Sequence, residues 1–143
     1  MTAFYFTRHG ESQANIDRVF AGWADSVLTE KGRNDARVEG KRLAAESAAF
    51  DVIFSSPLSR AYDTAKTIAE ELGYAAEGII KLEELKERSV GSYEGMPSNT
   101  LEGQPKHIDA IGEAGGETRQ ELMERVAKAF ESVRRESATQ KRC

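Results

Sequence analysis

A layered α/β domain, with a mainly parallel sheet and helices on both faces (a three-layer arrangement), is what this chain of 143 residues predicts. Three observations predict it. An alternating run, Phe4 to Thr7, ends at Arg8-His9-Gly10. A compact apolar run, Asp51-Val52-Ile53-Phe54-Ser55, precedes Pro57 and a helical pattern that stops at Gly73, the order a βαβ unit requires. A last amphipathic stretch opens at Thr118. Residues 1–143 read as one domain, because this length supports a single sizeable core and not two.

The first strand places Phe4 and Phe6 on one side and Tyr5 and Thr7 on the other, after which Gly10 frees the backbone to turn. Ligands of open α/β sheets collect at the carboxyl ends of strands, so an arginine, an imidazole and a turn glycine there suggest an anion site. A surface histidine is the plainer alternative. Thr29 caps a helix with Ala36, Gly40, Leu43 and Ala44 at helical spacing. The opposite face, with Lys31, Arg33, Arg37, Lys41 and Arg42, reads as solvated surface because acidic residues are interspersed.

Pro57 closes the second strand by removing a backbone donor, and Ala61, Ala65, Ile68, Ala69 and Leu72 form one apolar stripe. Ser59 and Arg60 then lie at a strand-to-helix turn, the same kind of place as His9. Ile79-Ile80-Lys81-Leu82 is a third strand that leads by way of Leu85 to Glu87. From Gly95 to Gly116 there is little periodicity, which predicts a long loop with at most a short helix between Pro105 and Ile111. Thr118-Arg119-Gln120-Glu121 matches a capping box. The helix behind it carries Leu122, Val126, Ala129, Phe130 and Val133 on one face and is expected to fray at Ser137.

Composition removes several classes of function. A net charge of −4 argues against the overall basic surface of a nucleic-acid binder, so an anion site has to be local. The single cysteine, Cys143, permits no intrachain disulfide and suits a reducing cytoplasm. No run approaches the roughly 18 apolar residues of a membrane span, and no secretion signal is evident. The expectation is a soluble cytoplasmic protein without nucleic-acid or membrane partners, and with neither a metal nor a cofactor.

Four ordered motifs then carry a specific resemblance. Arg8-His9-Gly10-Glu11-Ser12 continues through Asn15 to Phe20-Ala21-Gly22-Trp23-Ala24-Asp25, Leu28 and Gly32. Ser55-Ser56-Pro57-Leu58-Ser59-Arg60-Ala61, Glu87-Arg88-Ser89-Val90-Gly91-Ser92-Tyr93-Glu94-Gly95 and Gly116-Glu117-Thr118 follow. Together they resemble the histidine phosphatase superfamily, which includes phosphoglycerate mutases and many small-molecule phosphatases. The resemblance implies a phosphoglycerate mutase-like fold and a small phosphorylated substrate.

Phosphoryl transfer through an enzyme nucleophile needs an attacking atom, positive groups on the non-bridging oxygens and a proton donor for the leaving alcohol. The resemblance implies His9 as nucleophile and Glu87 as general acid. It places Arg8 and Arg60 on the phosphate, as forked donors that lysine does not replace. Surface ion pairs are their alternative. Asn15 adds an uncharged donor, the backbone of Ala21 and Gly22 approaches the ligand, and Arg88 contributes to substrate binding. Trp23 reads as a packing anchor. Glu83, Glu84 and Glu94 are nearby carboxylates that residue chemistry alone does not exclude as the acid; Glu87 is preferred for its place in the motif. To hold a proton near neutral pH, that acid needs a raised pKa, most simply through partial burial once substrate has neutralised the arginines.

One departure is substantial. The family carries a second histidine, followed by glycine, on a strand after the helix that here begins at Thr118, and this sequence reaches Cys143 before such a strand. His107 is the only other histidine and has no following glycine. The expectation is a C-terminally truncated member, with an open edge near Ala3 to Thr7 that leads to a homo-oligomer or to marginal stability. A missing donor implies turnover lower by on the order of 10²-fold or more. Among functions, a small-molecule phosphomonoester hydrolase ranks first and a cofactor-dependent phosphoglycerate mutase second. Ser98 stands where mutases place a lysine. A catalytically impaired phospholigand-binding module is third.

Overall fold

The computed structural model of the chain describes residues 3–46, 49–101 and 107–140. Cys143, Pro105 and Lys106 lie outside them. The regular elements are α1 (Gln13–Asp17), α2 (Glu30–Ala45), β1 (Phe54–Ser55), α3 (Ser59–Glu71), β2 (Ile80–Lys81), α4 (His107–Glu113) and α5 (Arg119–Gln140), with short 3₁₀ turns between β2 and α4. The α/β class stands, and its pairing is parallel as expected: Phe54 faces Ile80 and Ser55 faces Lys81. The backbone bonds Ile80 N–H to Ile53 O and Leu82 N–H to Ser55 O, both 2.9 Å, complete the ladder.

The sheet is smaller than the sequence suggests. Residues 3–7 run without a ladder, and the second strand keeps only Phe54–Ser55 of the five residues expected. A strand is defined by its partner, and a cavity of about 760 Å³ separates residues 3–9 from residues 49–56. Phe4, Tyr5 and Phe6 are therefore exposed, Phe6 to 78%. Tyr5 meets Phe50 edge-on at 5.2 Å, and Phe6 lies 6.2 Å from Phe130.

Helix α2 begins where Thr29 predicts, with the threonine hydroxyl accepting from Gly32 N–H at 3.0 Å. It buries Gly32, Ala36, Gly40 and Leu43 against α3, and Ala36, Leu43 and Ile68 form one core cluster with Phe50 and Leu72. A second cluster of Val90, Leu101 and Ile111 anchors the later loops, with Phe20 and Tyr93 packed on it. Helix α3 departs from its apolar stripe, burying Arg60 and Thr64 ahead of Ile68 and Ala69. In α5 the capping box forms, Thr118 N–H donating to Glu121 Oε2 and Glu121 N–H to Thr118 Oγ1. That helix nevertheless turns Met123, Val126 and Phe130 outward, buries Ala129 and Ser132, and continues past Ser137 to Gln140. Among the described residues no helix is long and apolar enough to cross a membrane.

One backbone contact fixes the N-terminal turn on α2. A Cβ at Gly10 would stand 2.3 Å from Gly32 O, and one at Gly32 would stand 2.1 Å from Glu11 O. Thr29 N–H donates to Glu11 O at 2.9 Å across the same junction. Neither backbone can recede without losing hydrogen bonds, so Gly32→Ala should lower stability by about 1–3 kcal/mol, the usual range for overpacking. Urea unfolding measures this, and an unchanged midpoint would mean that the junction yields.

Candidate active site

The turn after residues 3–8 delivers His9 to a half-buried position, held by Gly10 N–H donating to Thr64 Oγ1 at 3.1 Å. Thr64 in turn donates to Arg60 O at 2.8 Å, so the His9 turn is referenced to the first turns of α3. His9 Nδ1 lies 2.7 Å from Gly10 O. A carbonyl only accepts, so Nδ1 carries the proton and Nε2 keeps its lone pair.

Arg60 is 2% exposed. Its Nη2 donates to Gly22 O at 2.8 Å and its Nη1 to Ala24 O at 3.2 Å, which ties the 21–25 loop to α3. Burial pulls the guanidinium below its usual range, while the charges of Glu87, Asp25 and Glu94 oppose the shift. Ser59 Oγ donates to Asp25 and secures the same loop. Arg8 is exposed and, among the described residues, has no carboxylate in ion-pair contact. Both Arg60 and Arg8 act on the His9 imidazole, as does Glu87 with the opposite sign.

Arg8, His9, Arg60 and Glu87 therefore share one site, and all four line the 760 Å³ cavity. The Glu87 side chain is exposed, and its Oε1 accepts from Arg88 N–H at 3.1 Å.

The other expected ligand-binding residues lie outside that lining. Asn15 Oδ1 accepts from Ser12 N–H at 2.9 Å and from Ser12 Oγ at 3.0 Å, capping α1 and leaving its amide N–H₂ as a donor. Ala21 O accepts from Ala24 N–H in a tight turn. Gly22 has φ +53°, and the space a Cβ would fill is held by Glu94 Oε1 at 2.6 Å, so glycine is required there by Glu94. Arg88 Nε and Nη2 donate to Glu117 O at 2.9 and 2.6 Å. The backbone of His107 opens α4.

Residue chemistry alone passed over Thr64, and it named Glu94 only as an alternative acid and not as the partner of the 21–25 loop. Thr64 had a legible signal, since Arg60, Thr64 and Ile68 recur every four residues on one face of α3. Glu94 Oε1 accepts from Trp23 N–H at 2.8 Å, a contact across 71 residues that no local pattern encodes. Among the described residues no group of His, Cys, Asp and Glu has the form of a metal site.

Comparison with known proteins gives this geometry a context. The sequence model described as histidine phosphatase superfamily (branch 1) matches residues 4–142. A 2,3-bisphosphoglycerate-dependent phosphoglycerate mutase of Parvibaculum lavamentivorans is 43% identical over 89 residues, 62% of this chain and 42% of that protein. Among solved structures, Bacillus stearothermophilus YhfR is 31% identical with a TM-score of 0.72, covering 89% of this chain and 64% of that one. A mycobacterial glucosyl-3-phosphoglycerate phosphatase is 26% identical with a TM-score of 0.70, covering 87% and 60% respectively. The chain thus spans less than half the length of the curated mutase and about three-fifths of these solved structures.

The imidazole environment has a measurable sign. Burial is the first cause that lowers the His9 pKa below 6.5; Arg60 and Arg8 act in the same direction, and the Gly10 carbonyl and Glu87 oppose them. With the native value below the unfolded one, the unfolded chain binds more protons between the two, so this residue's contribution makes stability fall as pH drops below about 6.5. In an NMR titration the His9 ring is expected to show a midpoint below 6.5 in the folded chain. A midpoint at or above that value would mean that Glu87 and the Gly10 carbonyl outweigh burial.

Proposed function

Since the chain belongs to the histidine phosphatase superfamily, we propose that it is a phosphomonoester hydrolase that passes the phosphoryl group of a small metabolite through His9 to water. The observation that carries this reading is the convergence of His9, Arg8, Arg60 and Glu87 on one cavity, with Nδ1 of His9 committed to Gly10 O. A lone pair on Nε2 attacks phosphorus and displaces the alcohol oxygen. Arg8 and Arg60 offset the charge on the non-bridging oxygens, Arg60 with the N–H groups not bound to Gly22 and Ala24. Glu87 gives its proton to the leaving alkoxide. The resulting carboxylate then takes a proton from the water that cleaves the phosphohistidine, which restores the imidazole.

A mutase is the second reading, favoured by the 43% identity to a phosphoglycerate mutase. Returning a phosphoryl group to a second hydroxyl requires the site to hold a bisphosphorylated intermediate, which calls for more cationic groups. Arg88, a candidate for that role, has Nε and Nη2 on the Glu117 carbonyl, and this supports the hydrolase.

Rapid mixing with radiolabelled p-nitrophenyl phosphate followed by quenching should give an acid-labile label on the wild-type chain and none on His9→Ala. Undiminished label on the variant would remove His9 from the nucleophile's role. Incubation with 3-phosphoglycerate and a trace of 2,3-bisphosphoglycerate separates the two readings: inorganic phosphate is the hydrolase's product, and 2-phosphoglycerate without phosphate release would establish the mutase.

A further inference from the structure

Arg125 lies in α5, and the motifs assign it no part in the chemistry. Its guanidinium uses every donor it has. Nε and Nη2 form a bidentate pair with Glu117 at 2.5 and 2.6 Å. Nη1 donates to Glu84 O and Lys86 O, both at 2.8 Å, and the second N–H of Nη2 reaches Glu87 O at 3.2 Å. An arginine has five N–H donors and no acceptor, so these five contacts leave nothing with which Arg125 could bind a substrate phosphate.

The acceptors are what give the arrangement meaning. Three are main-chain carbonyls at and just before Glu87, and the Glu117 carboxylate continues the restraint beyond it by accepting Ser89 N–H at 2.9 Å. Glu117 O meanwhile holds the Arg88 side chain. Trp23 Nε1 adds a further bond to Glu87 O at 2.7 Å. The backbone is thus pinned at residues 84, 86, 87 and 89, while Glu87 lines the cavity with its carboxyl accepting from the adjacent Arg88 N–H. The pair is well shielded, with side-chain exposures of 15% for Arg125 and 13% for Glu117. Charge-assisted bidentate bonds in such surroundings hold geometry more tightly than exposed ion pairs do. The hydrogen bonds from Arg125 also hold the Glu117 carboxyl below its usual range, so the pair stays charged as Glu87 changes protonation.

We propose that Arg125 and Glu117 are positioning residues that aim Glu87 at the leaving oxygen of the substrate. This rests on the functional reading above, in which Glu87 is the general acid. Protonation of the leaving group matters when that group is a poor one and little when it departs readily as an anion. Loss of aim should therefore appear as a dependence on leaving group, which a general loss of folded protein does not produce.

The test compares phosphoryl transfer to His9 from 2,4-dinitrophenyl phosphate and from glycerol 1-phosphate in the wild-type chain and in Arg125→Lys, Arg125→Met and Glu117→Gln. The ratio of the two rates within one sample is independent of the amount of active protein, which keeps the result readable if Arg125→Met folds poorly. Both Arg125→Met and Glu117→Gln are expected to slow transfer from glycerol 1-phosphate by about 10²-fold while changing the dinitrophenyl rate little, the usual reach of general-acid catalysis being 10²–10⁴-fold. Arg125→Lys should fall between them and the wild type, because an ammonium replaces only part of the fork. Equal slowing with both esters would overturn the positioning role and leave His9 as nucleophile untouched. A wild-type chain labelled by neither ester would overturn the functional reading and the role of Arg125 with it.

Discussion

The site depends on a buried cation without a carboxylate in ion-pair contact among the described residues. Taking a guanidinium out of water costs several kcal/mol unless its donors are met. Arg60 meets part of that cost with the carbonyls of Gly22 and Ala24, and so the charge and the 21–25 loop are ordered together. Its own carbonyl accepts from Thr64, which accepts from Gly10, so the His9 turn is positioned by the same turns of α3. Burial first, and then the charges of Arg60 and Arg8, disfavour an imidazolium at His9, and the same two guanidiniums suit an incoming anion.

The N-terminal segment shows the limit of local pattern. Its alternation was clear in the sequence, yet alternation specifies only which side chains share a face. Ladder bonds need a neighbouring strand, and residues 3–7 have none among the described residues. Phe6 and Phe130 instead meet near the surface, where Phe130 remains 55% exposed. The outward turn of Val126 and Phe130 has a related cause. The neighbouring residue, Arg125, makes five hydrogen bonds to Glu117 and to the carbonyls of Glu84, Lys86 and Glu87, and with α5 held there Val126 and Phe130 lie outward.

What was legible was therefore what is local. Thr29 and Thr118 cap their helices within one turn, Gly73 ends α3, and the βα order survives with its parallel pair. The membership of His9, Arg8, Arg60 and Glu87 in ordered motifs anticipated their meeting at one cavity. The partners of Asn15, Gly22 and Arg88 were not anticipated, because Ser12, Glu94 and the Glu117 carbonyl compete for the same donors, acceptors and space that a ligand would use. The hydrogen bonding of Arg125 had no signature at all: most of its acceptors are carbonyls, which every residue possesses, and they lie about forty positions away in sequence.

Trp23 is the chain's one tryptophan, and its indole spans the junction between the 21–25 loop and the backbone of Glu87. The ring face also carries Lys86 Nζ at 4.8 Å from its centroid, and that ammonium is paired with Glu83 at 2.6 Å. Indole emission responds to hydrogen bonding at Nε1, to nearby charge and to water on the ring. The intrinsic fluorescence of this protein is therefore a single-site optical signal from the seam between the 21–25 loop and the Glu87 backbone. Its colour reports the surroundings of that indole, and no dye or label has to be attached to see it.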